Sequence, residues 1–188
     1  IIKSEDDVNI DKCLYPYQNW IRKQINIFFL NKNKSKLLVQ MPTGSGKTKT
    51  MLEAVCDHIR QNENSNTTIV WLAHSEELCE QAATSFEEIW SKLGSENAQI
   101  IRLWGGNSPK DFDSISKPTF VVSSFQTAYS MTKTLSDKKF SIFAKVKSNC
   151  SLMIVDEAHQ STAPTYKTAI ELNPDFAKAY NNLGNALF

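Results

Sequence analysis

Apolar residues occur along the chain in short blocks separated by longer mixed segments. None of the blocks alternates strictly between apolar and polar positions, which is typical of strands buried on both faces of a sheet. The sequence therefore predicts strands of a mainly parallel sheet. The blocks lie at 36–40, 67–73, 98–103, 118–123 and 151–156.

The segments between these blocks carry helical signals. Residues 16–30 begin with a proline suited to a first helical turn, and residues 47–60 place their apolar side chains on one stripe. Ser75 precedes a helix expected over 76–93, and another is expected within 125–147. Strands and helices that alternate in this way predict an α/β fold with helices on both faces of the sheet.

Four of the strands run directly into polar or glycine-rich segments. Parallel α/β sheets bind ligands beyond the carboxyl ends of their strands, so we expect the functional site at that edge. The segments that mark it are 41–48, 73–75, 123–127 and 156–159.

The segment MPTGSGKT has the properties of a phosphate-binding loop. Gly44 and Gly46 allow backbone N–H groups to surround a phosphate, and the following helix adds its positive end. Lys47 would reach the β- and γ-phosphates, and Thr48 would offer its hydroxyl to Mg²⁺. The expected nucleotide contacts are Thr43, Gly44, Ser45, Gly46, Lys47 and Thr48.

One position departs from the usual phosphate-loop pattern. Where G-x-x-x-x-G-K-[ST] has its first glycine, this chain has Met41. The alternative reading of the segment is a glycine-rich turn that carries a lysine by chance.

The segment SLMIVDEAH supplies two carboxylates at the end of an apolar strand. Asp156 would hold Mg²⁺, and Glu157 would orient and deprotonate an attacking water. The alternative is a helix N-terminus with two acidic residues in its first turn.

Composition narrows the classes of function. The formal charge of +1 means that any nucleic-acid contact must come from a local surface. The four cysteines form no C-x-x-C pair, so we expect reduced thiols in a cytoplasmic protein without zinc or disulfides. No apolar run is long enough to cross a bilayer, and the acidic N-terminus does not resemble a signal peptide. The first residue is not Met, which leaves open whether the chain is a fragment.

Together, MPTGSGKT and VDEAH resemble the first RecA-like domain of superfamily 2 helicases of the DEAH type. The closest likeness is to the group that includes the motor subunits of type I and type III restriction enzymes and the UvrB-like helicases. The resemblance covers residues 10–166. It implies a RecA-like domain that binds ATP and Mg²⁺ and acts on nucleic acid, with DNA favoured, as in restriction–modification systems.

Further segments match this family less completely. LYPYQ resembles the family's LRPYQ and implies that Gln18 reads the adenine edge, although Tyr15 stands where the family has Arg. A solvent-facing helix residue is the alternative for Gln18. In the family, His159 would relay the nucleotide state to a second domain; otherwise it is a surface histidine at a helix start.

Two segments resemble the family's nucleic-acid contacts. LAHSEEL is similar to motif Ia and implies contacts from His74 and Ser75, the latter replacing an Arg common there. SSFQT is similar to motif Ib and implies contacts from Gln126 and Thr127. Ordinary helix capping by Ser123 or Ser124 is an equally good interpretation of the second segment.

Residues 167–188 resemble the junction of two tetratricopeptide repeats. We therefore expect a short α-helical tail, with an amphipathic helix that completes the α/β domain as the alternative. The family places a strand carrying Ser/Thr-Ala-Thr soon after DEAH, and this sequence contains no such motif. A tail of this length cannot form a self-supporting repeat array.

The resemblance implies the ATP-binding domain of a helicase or translocase. Such motors bind ATP between two RecA-like domains, and the second domain supplies an arginine finger. Because this chain has room for only one, we expect it to bind Mg·ATP with weak or no hydrolysis, so that enzyme activity stays open. The alternative is a non-catalytic scaffold whose repeat-like tail contacts a protein partner.

Overall fold

The computed structural model describes residues 14–31, 37–62, 67–107, 117–133, 145–146, 148–157 and 179–182. Within these ranges the helices are α1 (Pro16–Leu30), α2 (Lys47–Gln61), α3 (Glu76–Leu93) and α4 (Phe125–Lys133). The strands are β1 (Leu38–Gln40), β2 (Thr68–Ala73), β3 (Gln99–Leu103), β4 (Thr119–Ser124), β5 (Cys150–Val155) and β6 (Ala179–Asn182).

The described strands form one parallel sheet in the order β1-β6-β5-β2-β4-β3. The central strands β2 and β4 are buried at all six positions. That burial explains why their sequences do not alternate, because both faces of the sheet lie against helices. The predicted α/β fold is confirmed.

Two apolar layers cover the sheet. On one face, Ile69 and Trp71 of β2 pack with the buried residues of α1, α2 and α3. On the other face, Val70 and Leu72 pack with Phe125 and its neighbours on α4. Successive side chains of a strand point to opposite faces, so one strand serves both layers.

The N-terminus of α3 is set by a local side chain. Ser75 accepts a hydrogen bond from the Leu78 amide at 3.3 Å, which confirms the predicted start of α3. Glu76 and Glu77 in the first turn complement the positive end of that helix. Among the described helices, none combines the length and apolar character required to cross a membrane.

The predicted helical tail is wrong for the only part of it that the structure describes. Ala179–Asn182 form strand β6 between β1 and β5, with Tyr180 in register with both Leu38 and Val155. A strand therefore follows DEAH although its family motif is absent. The predicted boundary after residue 166 stays a prediction, since 158–178 lie outside the described ranges.

Backbone pairing explains why a strand replaces the expected helix. Within the described residues, β1 pairs with β6 and with no other strand. Four extended residues between β1 and β5 provide hydrogen-bond partners for the backbone N–H and C=O groups that these two strands direct toward each other. That gain outweighs the weak helical preference of a short segment.

Replacing Asn181 by Val or by Ala distinguishes the two conformations. In a strand, Asn181→Val should be more stable than Asn181→Ala by up to about 1 kcal/mol. In a helix the order would reverse, with Ala favoured by about 0.5–0.7 kcal/mol. Denaturant titration of both variants measures the difference, and a more stable Ala variant would contradict the strand.

Candidate nucleotide-binding site

The loop between β1 and α2 has the backbone of a phosphate cradle. Gly44 and Gly46 have φ of 73° and 77°, in the left-handed region that glycine adopts without strain. The Ser45 amide donates to the Pro42 carbonyl at 3.2 Å, and the Ser45 hydroxyl donates to the same oxygen at 2.6 Å. Gly46 then serves as the N-cap of α2, so the loop leads directly into the positive end of a helix.

Met41 shows why the first glycine of the pattern is dispensable here. Its φ is not among the positive values in the described chain, so the backbone at this position does not require glycine. Its side chain is 4% exposed and belongs to the apolar core beneath the loop. The methionine therefore anchors the loop to the core without entering the cradle.

Lys47 is held over the start of the loop. Its side chain is buried, and Nζ donates to the carbonyls of Met41 at 3.2 Å and Pro42 at 2.9 Å. One turn further, the Thr50 hydroxyl donates to the Gly46 carbonyl at 2.9 Å. Thr48, half-buried, lies between them at the second position of α2. A buried ammonium with only carbonyl partners favours an anion nearby.

Asp156 lies at the carboxyl end of β5 and is 3% exposed. Its backbone amide donates to the Leu72 carbonyl at 2.8 Å, which continues the pairing of β5 with β2. Burial, and secondly the charge of Glu157, raises the pKa of Asp156 to about 6, while Lys47 acts in the opposite direction. The interaction with Lys47 relates the acidic segment to the phosphate loop across β6.

Glu157 has an unusual backbone. Among the described residues other than glycine, Glu157 alone has a positive φ, of 53°. Its amide donates to Asp156 Oδ1 at 3.0 Å, so the turn folds back on the preceding carboxylate. Left-handed φ at a residue with a side chain costs about 1–3 kcal/mol, and such residues cluster at functional sites. Asp156 and Glu157 lie in a turn, and the residues that would test the alternative of a helix N-terminus lie outside the described ranges.

Gln18 lies beside the loop and not on the solvent face of α1. It is 4% exposed, which makes the solvent-facing alternative wrong. Its Oε1 accepts from the Tyr15 amide at 2.7 Å, and its Nε2 donates to the Ser45 carbonyl at 2.7 Å. Each amide atom has one further hydrogen-bonding position, so the group retains a donor and an acceptor.

Tyr17 is a residue of this site that sequence reasoning missed. Its hydroxyl donates to the Ser45 carbonyl at 2.9 Å, so the same oxygen receives two donors from α1. Tyr15 stacks on Tyr17 with ring centroids 6.0 Å apart, and both rings are exposed at the mouth of the loop. The bond joins residues 28 positions apart, so no local sequence signal could have identified it.

The residues expected to contact nucleic acid follow β2 and β4 at the edge that also carries Asp156. His74 and Gln126 are exposed there. The Ser75 hydroxyl is used as a cap, as described above. Ser124 accepts from the Thr127 amide at 3.2 Å and bonds the Thr127 hydroxyl at 3.0 Å, so the capping interpretation of this segment holds for Ser124. His159 lies outside the described residues.

With this geometry, the comparison with known sequences identifies the family. A family model described as "Type III restriction enzyme, res subunit" matches residues 11–180. The chain belongs to this family. No curated protein sequence matches it significantly.

Solved structures share the fold of this restriction-enzyme family member. A nuclease-deletion mutant of the Type ISP restriction-modification enzyme LlaGI, in complex with a DNA substrate mimic, superposes with a TM-score of 0.65 at 17% identity over 94% of this chain. The UvsW helicase from bacteriophage T4 gives 0.60 at 20% identity over 88%. Dbp5 from S. cerevisiae, bound to RNA and ADP BeF3, gives 0.58 at 15% identity over 90%.

These matches confirm the predicted α/β fold, and the family model confirms the expected likeness to type III restriction enzymes. The chain spans 18%, 52% and 41% of the lengths of the LlaGI, UvsW and Dbp5 chains, respectively. It is thus a helicase-like ATPase domain that resembles restriction-enzyme motors.

Alanine substitution at the two loop glycines should distinguish the cost of backbone strain from the cost of a steric clash. A Cβ at Gly44 would meet no atom within 4 Å, so Gly44→Ala should cost the left-handed strain alone, about 1–2 kcal/mol. A Cβ at Gly46 would lie 2.4 Å from Gln18 Nε2, so Gly46→Ala should cost more, by about 1 kcal/mol or above. Denaturant titration measures both.

The Gln18→Ala background provides the control for this pair. Without the Gln18 amide, the collision disappears and the two glycine substitutions should cost similar free energies of unfolding. An equal cost already in the native background would contradict the close packing of Gln18 on the loop.

Asp156→Asn should stabilise the protein at neutral pH. The folded pKa of Asp156, about 6, lies above its ordinary value of 3.8. The stability associated with the protonated form is complete below about 3.8 and is lost as the pH rises through about 6. In EDTA, the free energy of unfolding of the variant should therefore exceed that of the wild type by about 2–3 kcal/mol near pH 8. The two values should approach each other near pH 4. A difference that does not change with pH would contradict this.

Proposed function

We propose that this chain is the ATP-binding domain of a nucleic-acid helicase or translocase, with DNA favoured as the track. The observation that carries the proposal is that a glycine cradle closed by buried Lys47 follows β1, while buried Asp156 follows β5, at the same edge of the sheet and one strand beyond β6. A phosphate chain with its divalent cation supplies further opposite charge to each of these side chains, beyond their mutual attraction.

The roles of the loop residues follow from their positions. Thr43, Gly44, Ser45 and Gly46 surround the phosphates with backbone amides, and Lys47 binds the terminal phosphates. The Gln18 amide, beside the loop, selects the adenine edge with its remaining donor and acceptor.

The oxygen ligands present suit Mg²⁺. Thr48 offers a half-buried hydroxyl at the start of α2, and Asp156 offers a carboxylate. Mg²⁺ in this place would neutralise charge on the phosphates. Glu157, in the turn that directly follows β5, orients the attacking water and accepts its proton.

The nucleic-acid partner is proposed on family membership and on the exposed residues at the sheet edge. LlaGI binds a DNA substrate mimic and Dbp5 binds RNA in the structures that resemble this chain. His74, Ser75, Gln126 and Thr127 follow β2 and β4 at the edge of the sheet that also carries Asp156, where backbone amides and short polar side chains suit sugar-phosphate contacts.

A second RecA-like domain is proposed as the partner required for turnover. Arginine fingers supplied by a partner domain raise rates about 10³–10⁵-fold. We therefore infer weak or no hydrolysis by this chain alone. The scaffold alternative is less favoured, because Ala179–Asn182 of the tail pair within the sheet.

Calorimetric titration with ADP and ATP in the presence of Mg²⁺ tests the proposal. We expect binding by the wild type, and in Lys47→Ala a loss of about 10- to 100-fold in affinity, the worth of a charged hydrogen bond. The matched control is Lys92→Ala, which removes an exposed lysine from α3.

Two results would contradict the proposal. Absence of nucleotide binding by the folded wild type would reject the site, as would equal affinities of Lys47→Ala and Lys92→Ala. Nucleic-acid-stimulated ATP turnover by this chain alone would reject the requirement for a second domain.

A further inference from the structure

A charged cluster joins α1 to α2 at a distance from the phosphate loop. Arg22 Nε and Nη2 donate to the two carboxylate oxygens of Asp57 at 2.6 and 2.7 Å, and Nη1 donates to Glu53 at 2.8 Å. Asn26 Nδ2 donates to Asp57 at 2.6 Å. We name Arg22, Asn26, Glu53 and Asp57 the Arg22 cluster. A bidentate guanidinium–carboxylate pair restricts both distance and orientation.

The cluster connects the two helices that build the nucleotide site. Arg22 lies one turn after Gln18 on α1, so both point to the same face of that helix. Glu53 and Asp57 lie one turn apart on α2, which begins at Lys47. A shift of α1 along α2 would therefore move the Gln18 amide relative to the phosphate loop.

Burial makes the cluster more restrictive than a surface ion pair. The Arg22, Glu53 and Asp57 side chains are 23%, 10% and 12% exposed. Burial raises the pKa of Glu53, and the Arg22 charge opposes that change. The hydrogen bond to Asp57 raises the pKa of Arg22 against the effect of burial. Breaking such contacts leaves uncompensated charge, so the helices resist sliding.

One flank of α1 is not covered by apolar packing. An open groove of about 630 Å³ runs between the helices, lined on one side by Asn19, Arg22, Lys49 and Glu53 and on the other by α3. Arg22 and Glu53 of the cluster line this groove, so on the flank that α3 leaves open the cluster supplies polar contacts that fix α1 in addition to its apolar packing. The loop itself offers α1 one acceptor, the Ser45 carbonyl.

We propose that Arg22 is a positioning residue for base selection, which fixes α1 against α2 and thereby sets where the Gln18 amide lies relative to the phosphate loop. Arg22 itself contacts no ligand. The inference rests on the proposed function, since a base edge is what Gln18 would read. According to this proposal, the loop determines the affinity for the phosphates, and the position of α1 along α2 determines the preference for the base.

Titration of Arg22→Met with ADP, GDP and inorganic pyrophosphate, each with Mg²⁺, tests the proposal. The wild type should prefer ADP over GDP. In the variant, the ratio of ADP affinity to GDP affinity should fall about three- to tenfold, because ADP binds more weakly when its hydrogen bond to Gln18 is misaligned. Pyrophosphate, which has no base, should change by less than about twofold, because the loop is intact.

Two further variants keep the test decisive. Asp57→Asn retains the shape of the cluster while removing one charge, and should shift the ADP preference in the same direction by a smaller factor. Arg102→Met is the matched control, because it breaks an arginine–carboxylate contact of 2.6 Å to Glu87 away from α1 and should leave all three affinities unchanged. Thermal unfolding without ligand verifies that each variant is folded.

The outcomes distinguish this inference from the function on which it rests. If folded Arg22→Met and Asp57→Asn keep the wild-type ratio of ADP to GDP affinity, the inference is wrong while the nucleotide site stands. Equal weakening of all three ligands likewise overturns it, by indicating a purely structural role. A wild type that binds pyrophosphate without base preference overturns the base-reading assignment, and one that binds nothing overturns the proposed function itself.

Discussion

Two opposite charges buried at one edge of the sheet govern the arrangement of this domain. Lys47 and Asp156 are each less than a tenth exposed, and they follow β1 and β5, the two strands that flank β6. Burying either charge is costly unless neighbours compensate it. Lys47 obtains this compensation from two loop carbonyls, and Asp156 from one amide and the attraction of the lysine. The remaining cost favours a ligand that carries both an anion and a cation.

The surrounding structure supports the loop that leads to Lys47 from two sides. Ser45 receives donors from both Tyr17 and Gln18, and Met41 ties the other end of the loop to the core. The loop is therefore supported from α1 on one side and from the apolar layer beneath it. Such support keeps the backbone arranged before a ligand arrives, which reduces the ordering cost of binding.

Much of this arrangement could be predicted from the sequence, because it depends on local signals. The bounds of α3 follow from Ser75 and Gly94, and the buried strands follow from their apolar runs. Contacts between distant segments could not be predicted in the same way. The Tyr17–Ser45 bond and the Arg22 cluster join residues about thirty positions apart, and nothing in a linear pattern specifies such pairs. Strand β6 was missed because its helix-like pattern is local, whereas its pairing with β1 and β5 is not.

The methionine at the start of the phosphate loop has a consequence for how this family can vary. Since Met41 is a core residue, changes in the volume of the apolar layer around it can propagate into the loop that follows. Drift of core residues under β1 would then alter ligand affinity without any substitution in the loop. A pattern that demands glycine at this position would also overlook relatives that anchor their loop in the same way.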